Sequence, residues 1–483
     1  MAKGTVVGSA AHAGGGGASA APRAERFSQE EPLDLGLVCP LDFRYGRPEA
    51  KKVFAEESKL RLLLEVEAAL ARAHASIGRI PGDAALTITK KVASGEVRLA
   101  RVKSIEREIQ HDLMSVVKAL SEVCGDAGKY VHLGATSYDI IDTANALQMK
   151  EAFGLLREQL VRLKGAFLKL ARTHRETVML GRTHGQAASP ITFGLKMAVF
   201  AAETQRQVDR IDDTLPRIAV GKLSGPVGTG GGLGKEALDL QRTVMDELDL
   251  GVEEASTQIV QRDRYVEAIG LLANIATSMD RFATEVRNLQ RTEIHEVEEP
   301  FDVGKQVGSS SMPHKRNPKD SEQVSGLARL VRANVAPMME SAVQWHERDL
   351  ANSAAERFLL PHSFLLTDHI VAKMATVFEG LVVYPERMKA NLEATKGLVF
   401  TEAIVGRLVD KGLGRQEAHE LLRSAAMRAL ERNVHLKSVL GDERAVTSRL
   451  SAHDLDAAFE PRGHIGVAPL IVDEIVNRLS RLS

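Results

Sequence analysis

Residues 307–318 read VGSSSMPHKRNP. Three consecutive hydroxyls, Ser309, Ser310 and Ser311, stand next to His314, Lys315, Arg316 and Asn317, side chains that each carry or organise charge. Gly308, Pro313 and Pro318 disfavour a regular helix or strand, so the stretch is predicted to be a loop. Its residue types suit hydrogen bonding and acid–base work and are a poor choice for core packing.

Four more polar clusters stand out. EIQHDLM sets His111 beside Asp112, and GATSYDIIDTA carries Thr136, Ser137 and Asp139. GRTHGQ places His184 in a turn before Pro190, and STQIVQRDR puts Gln258 at the start of a helix. Each also has a plainer reading. A His-Asp pair on a helix forms ordinary structural hydrogen bonds, and Thr-Ser-x-Asp before an apolar run is a helix N-cap signature. The glycine run GPVGTGGGLGK misses the phosphate-loop pattern, because Thr229 replaces its first glycine and Glu236 follows Lys235. IHEVEE around His295 is not HExxH, and no metal site is expected.

Helices must position these groups. Phe153, Leu156, Leu160, Leu163, Phe167 and Leu170 alternate spacings of three and four, and a similar stripe runs through Ile269, Leu272, Met279, Phe282, Val286 and Leu289. Such stripes need other long helices to pack against. An earlier helix is predicted from Pro48 through VFAEESKLRLLLEVEAALARAHASIG, stopping at Gly78. Strand-like alternation is scarce. The expected fold is all-α, with a disordered Gly/Ala-rich tail over 1–33, an N-terminal helical domain over 34–131, a central long-helix bundle over 132–385 and a C-terminal helical domain over 386–483.

Composition excludes some classes. With 63 basic and 64 acidic side chains among 483 residues, the net charge of -1 gives no general footprint for nucleic acid or an anionic membrane. No apolar run reaches the roughly 18 residues of a membrane span. Cys39 and Cys124 are the only cysteines, which fits a reducing, cytoplasmic compartment.

The loop Gly308–Pro318 closely resembles the GSSxMPxKxNP signature of the fumarase/aspartase superfamily, whose members cleave C–N or C–O bonds to release fumarate. GATSYDIIDT, GRTHGQ and the serine loop also keep the chain order of that superfamily's shared regions, and the resemblance spans about residues 36–483. Within it, CPLDFRYGRPE, HD, STQ and QWHERDLANSAAER are similar to the adenylosuccinate lyase family. That resemblance implies elimination of fumarate from adenylosuccinate, giving AMP, and from SAICAR, giving AICAR. Another superfamily lyase, such as 3-carboxy-cis,cis-muconate cycloisomerase, is the alternative, and a catalytically silent scaffold is the non-enzymatic one.

The resemblance also implies roles. Ser309 is the base and His184 the acid; Glu322 orients His184, and Lys315 with Asn317 holds the charge that grows on the succinyl group. Arg44 and Tyr45 would meet phosphate and ribose, with Arg348, Ser353 and Arg357 helping to hold the nucleotide. His111, Asp112, Thr136, Ser137, Gln258 and Ser310 complete the substrate set. Gln323 departs from the pattern, standing where some members have Arg. The implied assembly is a homotetramer whose core is formed by the central bundles of four chains, a burial between chains that the apolar stripes suit, with active sites shared between subunits and no cofactor.

Overall fold

Apolar side chains spaced three and four apart are satisfied only by helical partners, and here the partners lie in the same chain. The computed structural model describes residues 37–302, 304 and 306–482; the tail expected over 1–33 lies outside the described residues. Five helices form the bundle: Ser137–Thr173, Phe193–Ile218, Asp263–Leu289, Lys319–Ala333 and Ala351–Glu379. Phe153, Leu156, Leu160, Leu163 and Phe167 are buried, and so are all six residues of the second stripe. Phe167 meets Phe282 and Phe378 edge-on, with centroids 5.1 and 4.5 Å away, and so ties three helices together. The stripes are therefore consumed within one chain, which corrects the expectation that they suit burial between chains.

A second apolar cluster joins Leu63, Val66 and Leu70 of the Glu56–Ser76 helix to Ile88, Leu120, Leu240 and Val244. A third gathers residues between Leu392 and Ala458. The clusters do not keep to chain order, since the final helix, Ala468–Leu479, returns Val472, Val476 and Leu479 to the bundle. Strand pairing among the described residues is limited to three two-stranded ladders. None of the described helices is long and apolar enough to cross a membrane.

The helix expected from Pro48 to Gly78 is broken. Pro48–Phe54 ends at Ala55, whose backbone is extended (φ -63°, ψ 146°), and a new helix runs Glu56–Ser76. Gln148 explains how the break is tolerated: its Nε2 donates to the Val53 carbonyl at 2.8 Å, satisfying an acceptor that a continuous helix would have used.

Candidate active site

The helix Lys319–Ala333 anchors the serine loop at its C-terminal end. Buried Glu299 accepts the backbone N–H groups of Asp320 (3.1 Å) and Ser321 (2.7 Å), fixing the start of that helix. The loop itself folds back on its own backbone. A Cβ at Gly308 would lie 2.3 Å from the Lys315 carbonyl oxygen, so only glycine allows the two arms to approach this closely. Asn317 Nδ2 donates to the Gly308 carbonyl at 3.2 Å. Ser309 Oγ accepts the N–H groups of Met312 (3.2 Å) and Ser311 (3.4 Å), donors that favour negative charge on that oxygen.

The loop borders a cleft of about 1450 Å³ that also brings in Ser310, Lys315, Asn317 and Glu322. Arg287, Arg291 and His295 add to its wall. Arg316 reaches out of the loop to Glu298 (3.0 Å), which Tyr384 Oη also engages at 2.7 Å, so this arginine anchors the backbone beside Lys315.

His184 is not among the residues that line this cleft. Val178–Thr183 and Gln186–Thr192 pair antiparallel, and the register Thr183↔Gln186 leaves His184-Gly185 as a two-residue turn. Both have positive φ, 57° and 73°, as a type I′ hairpin turn requires. The turn presents the His184 side chain to solvent. At the base of the hairpin, Arg182 makes a two-armed pair with buried Glu296 at 2.8 and 2.9 Å. His184 and Glu322 make no hydrogen bond to each other within the chain.

A third group gathers at the start of the long bundle helix. Asp139 accepts the Thr136 N–H at 2.8 Å, the N-terminal capping arrangement legible in the sequence, and also the N–H groups of Ser224 and Gly225 and the buried Lys222 ammonium. The turn carrying Thr136 and Ser137 is thus locked to residues 222–225. Arg348 donates to Gln258 Oε1 at 2.9 Å and lies over the Tyr138 ring, whose Oη meets Ser353 Oγ at 2.8 Å. Arg357 holds Asp112 at 2.7 Å, while His111 Nδ1 accepts the Met114 N–H at 3.3 Å as a helix cap. Gln258 is not at a helix start, as expected from the sequence, but in an irregular segment; the helix begins at Asp263. Beneath it, buried Arg262 bridges Asp142 (2.8 and 2.9 Å) and Glu356 (2.7 and 3.1 Å), fixing three segments together.

Arg44 and Tyr45 come after a short helix, Pro40–Phe43, and the Tyr45 ring packs edge-on against His369 at 5.6 Å. Burial, with Lys373 beside it, lowers the His369 pKa to about 4. Its Nε2 lies 3.3 Å from Gln323 Oε1, so the residue that departs from the family pattern has a neutral partner here. Tyr138, Lys222 and Arg262 are the supporting residues that sequence reading missed. Each sits in or near ordinary helical sequence, and only tertiary contacts reveal what it holds.

Comparison with known proteins fits this arrangement. The lyase family matches residues 43–333, and the family described as adenylosuccinate lyase C-terminus matches 397–475. Adenylosuccinate lyase of Pyrococcus abyssi is 48% identical over 445 residues, 92% of this chain and 98% of that protein. A fumarate lyase from Mesorhizobium sp. BNC1 and a 3-carboxy-cis,cis-muconate lactonizing enzyme from Pseudomonas putida each align with a TM-score of 0.83 at 33% identity. These cover 89% and 90% of this chain and 98% of each of theirs. With nearly half its residues shared along almost the full length of such a relative, and with the matching C-terminal region, the chain belongs to the adenylosuccinate lyase family.

Proposed function

We propose that the chain releases fumarate from adenylosuccinate, leaving AMP, and from SAICAR, leaving AICAR, by one β-elimination. The observation that carries this reading is the Ser309 hydroxyl, held under two backbone N–H groups in a cleft that also contains Lys315 and Asn317. In the elimination a proton leaves the carbon next to a succinyl carboxylate while nitrogen leaves the neighbouring carbon. A serine is a weak base unless its alkoxide is stabilised, and the N–H groups of Ser311 and Met312 with the Lys315 ammonium supply that. Lys315 and Asn317 then hold the carboxylate on which charge accumulates. His184 protonates the departing nitrogen, and Glu322 orients it. The step is redox-neutral and draws on no cofactor.

The nucleotide is held by Arg44, Tyr45, Arg348, Ser353 and Arg357, with His111, Asp112, Thr136, Ser137, Gln258 and Ser310 on the base and succinyl portions. Within one chain His184 is not among the residues lining the serine-loop cleft. A homotetramer in which each site draws its shared regions from three subunits brings them together. Exposed Val343, Trp345, Leu350 and Phe358 support a further chain contact along residues 343–358. The cycloisomerase reading has no nucleotide for Arg348, Ser353 and Arg357 to hold, and a scaffold has no use for Ser309, Lys315 and His184 together. Incubation with adenylosuccinate, with fumarate and AMP separated by chromatography, tests the assignment. Turnover of carboxymuconate in its place would transfer it to the rival.

A further inference from the structure

Residues 296–299, Glu-Val-Glu-Glu, are all buried, although three of the four are acidic. A buried carboxylate is tolerated only where cations or N–H groups meet it, and an apolar segment would fill the same space without that cost. The backbone here is fixed from both sides. Val297 and Glu298 pair antiparallel with Val383 and Val382. The Tyr384 N–H donates to the Glu296 carbonyl at 3.0 Å, and the Glu299 N–H donates to Gln290 Oε1 at 2.9 Å.

Each carboxylate of this segment holds a different part of the candidate site. Glu296 takes both arms of Arg182, two residues before His184, and its Oε1 also accepts Asn391 Nδ2 at 2.8 Å. Glu298 takes Arg316, the neighbour of Lys315, at 3.0 Å, while Tyr384 Oη donates to its other oxygen. Glu299 takes the N–H groups of Asp320 and Ser321, where the helix carrying Glu322 begins.

We propose, on the elimination reading and as a deepening of it, that this buried segment positions both the acid and the base. Glu296 sets the hairpin that carries His184, and Glu298 sets the loop that carries Ser309 and Lys315. Each acts through an arginine of its own chain. Misplacing a reacting group by about 1 Å costs on the order of 10²-fold in rate. Where active sites take His184 and Ser309 from different chains, a defect at Glu296 travels with His184, and a defect at Glu298 travels with Ser309.

The test mixes full-length variants under verified subunit exchange, with Ser309→Ala plus His184→Ala as the control pair. Alone, Glu296→Gln and Glu298→Gln are each expected to lower kcat on the order of 10–100-fold. KM in Glu296→Gln is expected to stay within about twofold of wild type, as for a group that acts only in the transition state. Glu296→Gln is expected to regain activity with Ser309→Ala and not with His184→Ala, and Glu298→Gln the reverse. A merely structural role predicts the same behaviour with both partners; that result, or kcat equal to wild type, would overturn the proposal. Amide hydrogen exchange reads the positioning without turnover. Glu296→Gln is expected to speed exchange roughly tenfold over 178–192 and leave 306–318 unchanged, and Glu298→Gln the reverse. A control pair that fails to recover removes shared sites, and a folded wild type without turnover removes the elimination reading. In either case the exchange rates decide: hairpin exchange in Glu296→Gln equal to wild type would overturn the positioning itself.

Discussion

The Arg348 guanidinium carbon lies 3.5 Å from the centre of the Tyr138 ring, and Nη1 donates to Gln258 Oε1 at 2.9 Å. Its Nε and Nη2 are buried without a hydrogen-bond partner among the described residues. A planar fork held by a ring and an amide, with donors left over, suits the proposed role of holding an anionic acceptor such as phosphate. Arg348→Lys keeps the charge and loses the fork. Charge-assisted hydrogen bonds contribute about 1.5–3 kcal/mol, so KM for adenylosuccinate is expected to rise roughly ten- to a hundredfold with a smaller change in kcat. An unchanged KM in steady-state assays would remove Arg348 from the substrate set.

The absence of His184 from the lining of the serine-loop cleft leads to a complementation prediction. Ser309→Ala and His184→Ala are each expected to lower kcat by about 10²–10⁴-fold. Mixed under conditions of verified subunit exchange, the two inactive variants are expected to regain part of the wild-type activity through sites that draw one intact residue from each. No recovery would count against shared sites.

Arg262 carries a stability prediction. It is buried between Asp142 and Glu356, so Arg262→Met leaves two buried carboxylates without their cation. Removing one partner of such a network costs about 3–5 kcal/mol, to be read as a lowered midpoint in urea denaturation. A midpoint equal to wild type would mean that the network contributes little.

His132 gives a pH dependence. Burial alone would lower its pKa, but the hydrogen bond to Glu67 at 2.6 Å and the charge of that buried carboxylate outweigh it, leaving the pKa raised above 6.5. The unfolded chain therefore loses this proton at lower pH than the folded one. The pair's stabilisation is complete below about pH 6.5 and fades as pH rises through the folded value. Denaturation midpoints between pH 6 and 9 are expected to fall more steeply in wild type than in Glu67→Gln, which has no carboxylate to pair with the imidazolium. Parallel slopes would contradict this.

Much of the site was legible because it consists of short contiguous runs. The serine loop shows itself by its own prolines and hydroxyls, Thr136 and Asp139 cap a helix from within one turn, and His184 reads as a turn residue, although the two strands that flank it were not legible. The bundle stripes were legible too, since periodicity is local. The break at Ala55 was not, because the group that accommodates it, Gln148, is 95 residues from Val53, whose carbonyl it meets. For the same reason Lys222 under Asp139 and Tyr138 under Arg348 carried no signal: each acts across a contact that no local pattern encodes. Gln258 was legible as a polar residue but misplaced on a helix, since the irregular segment holding it is tied down by Arg262 and Asp142.

The most direct measurement monitors the ultraviolet absorbance of adenylosuccinate with the purified full-length protein, with Ser309→Ala in parallel and fumarate and AMP identified chromatographically. The expected result is stoichiometric fumarate and AMP with wild type and near-complete loss of turnover in the variant, whose fold is unchanged. A folded wild type that leaves adenylosuccinate intact, or a Ser309→Ala protein as fast as wild type, would contradict the proposal that this loop performs the elimination.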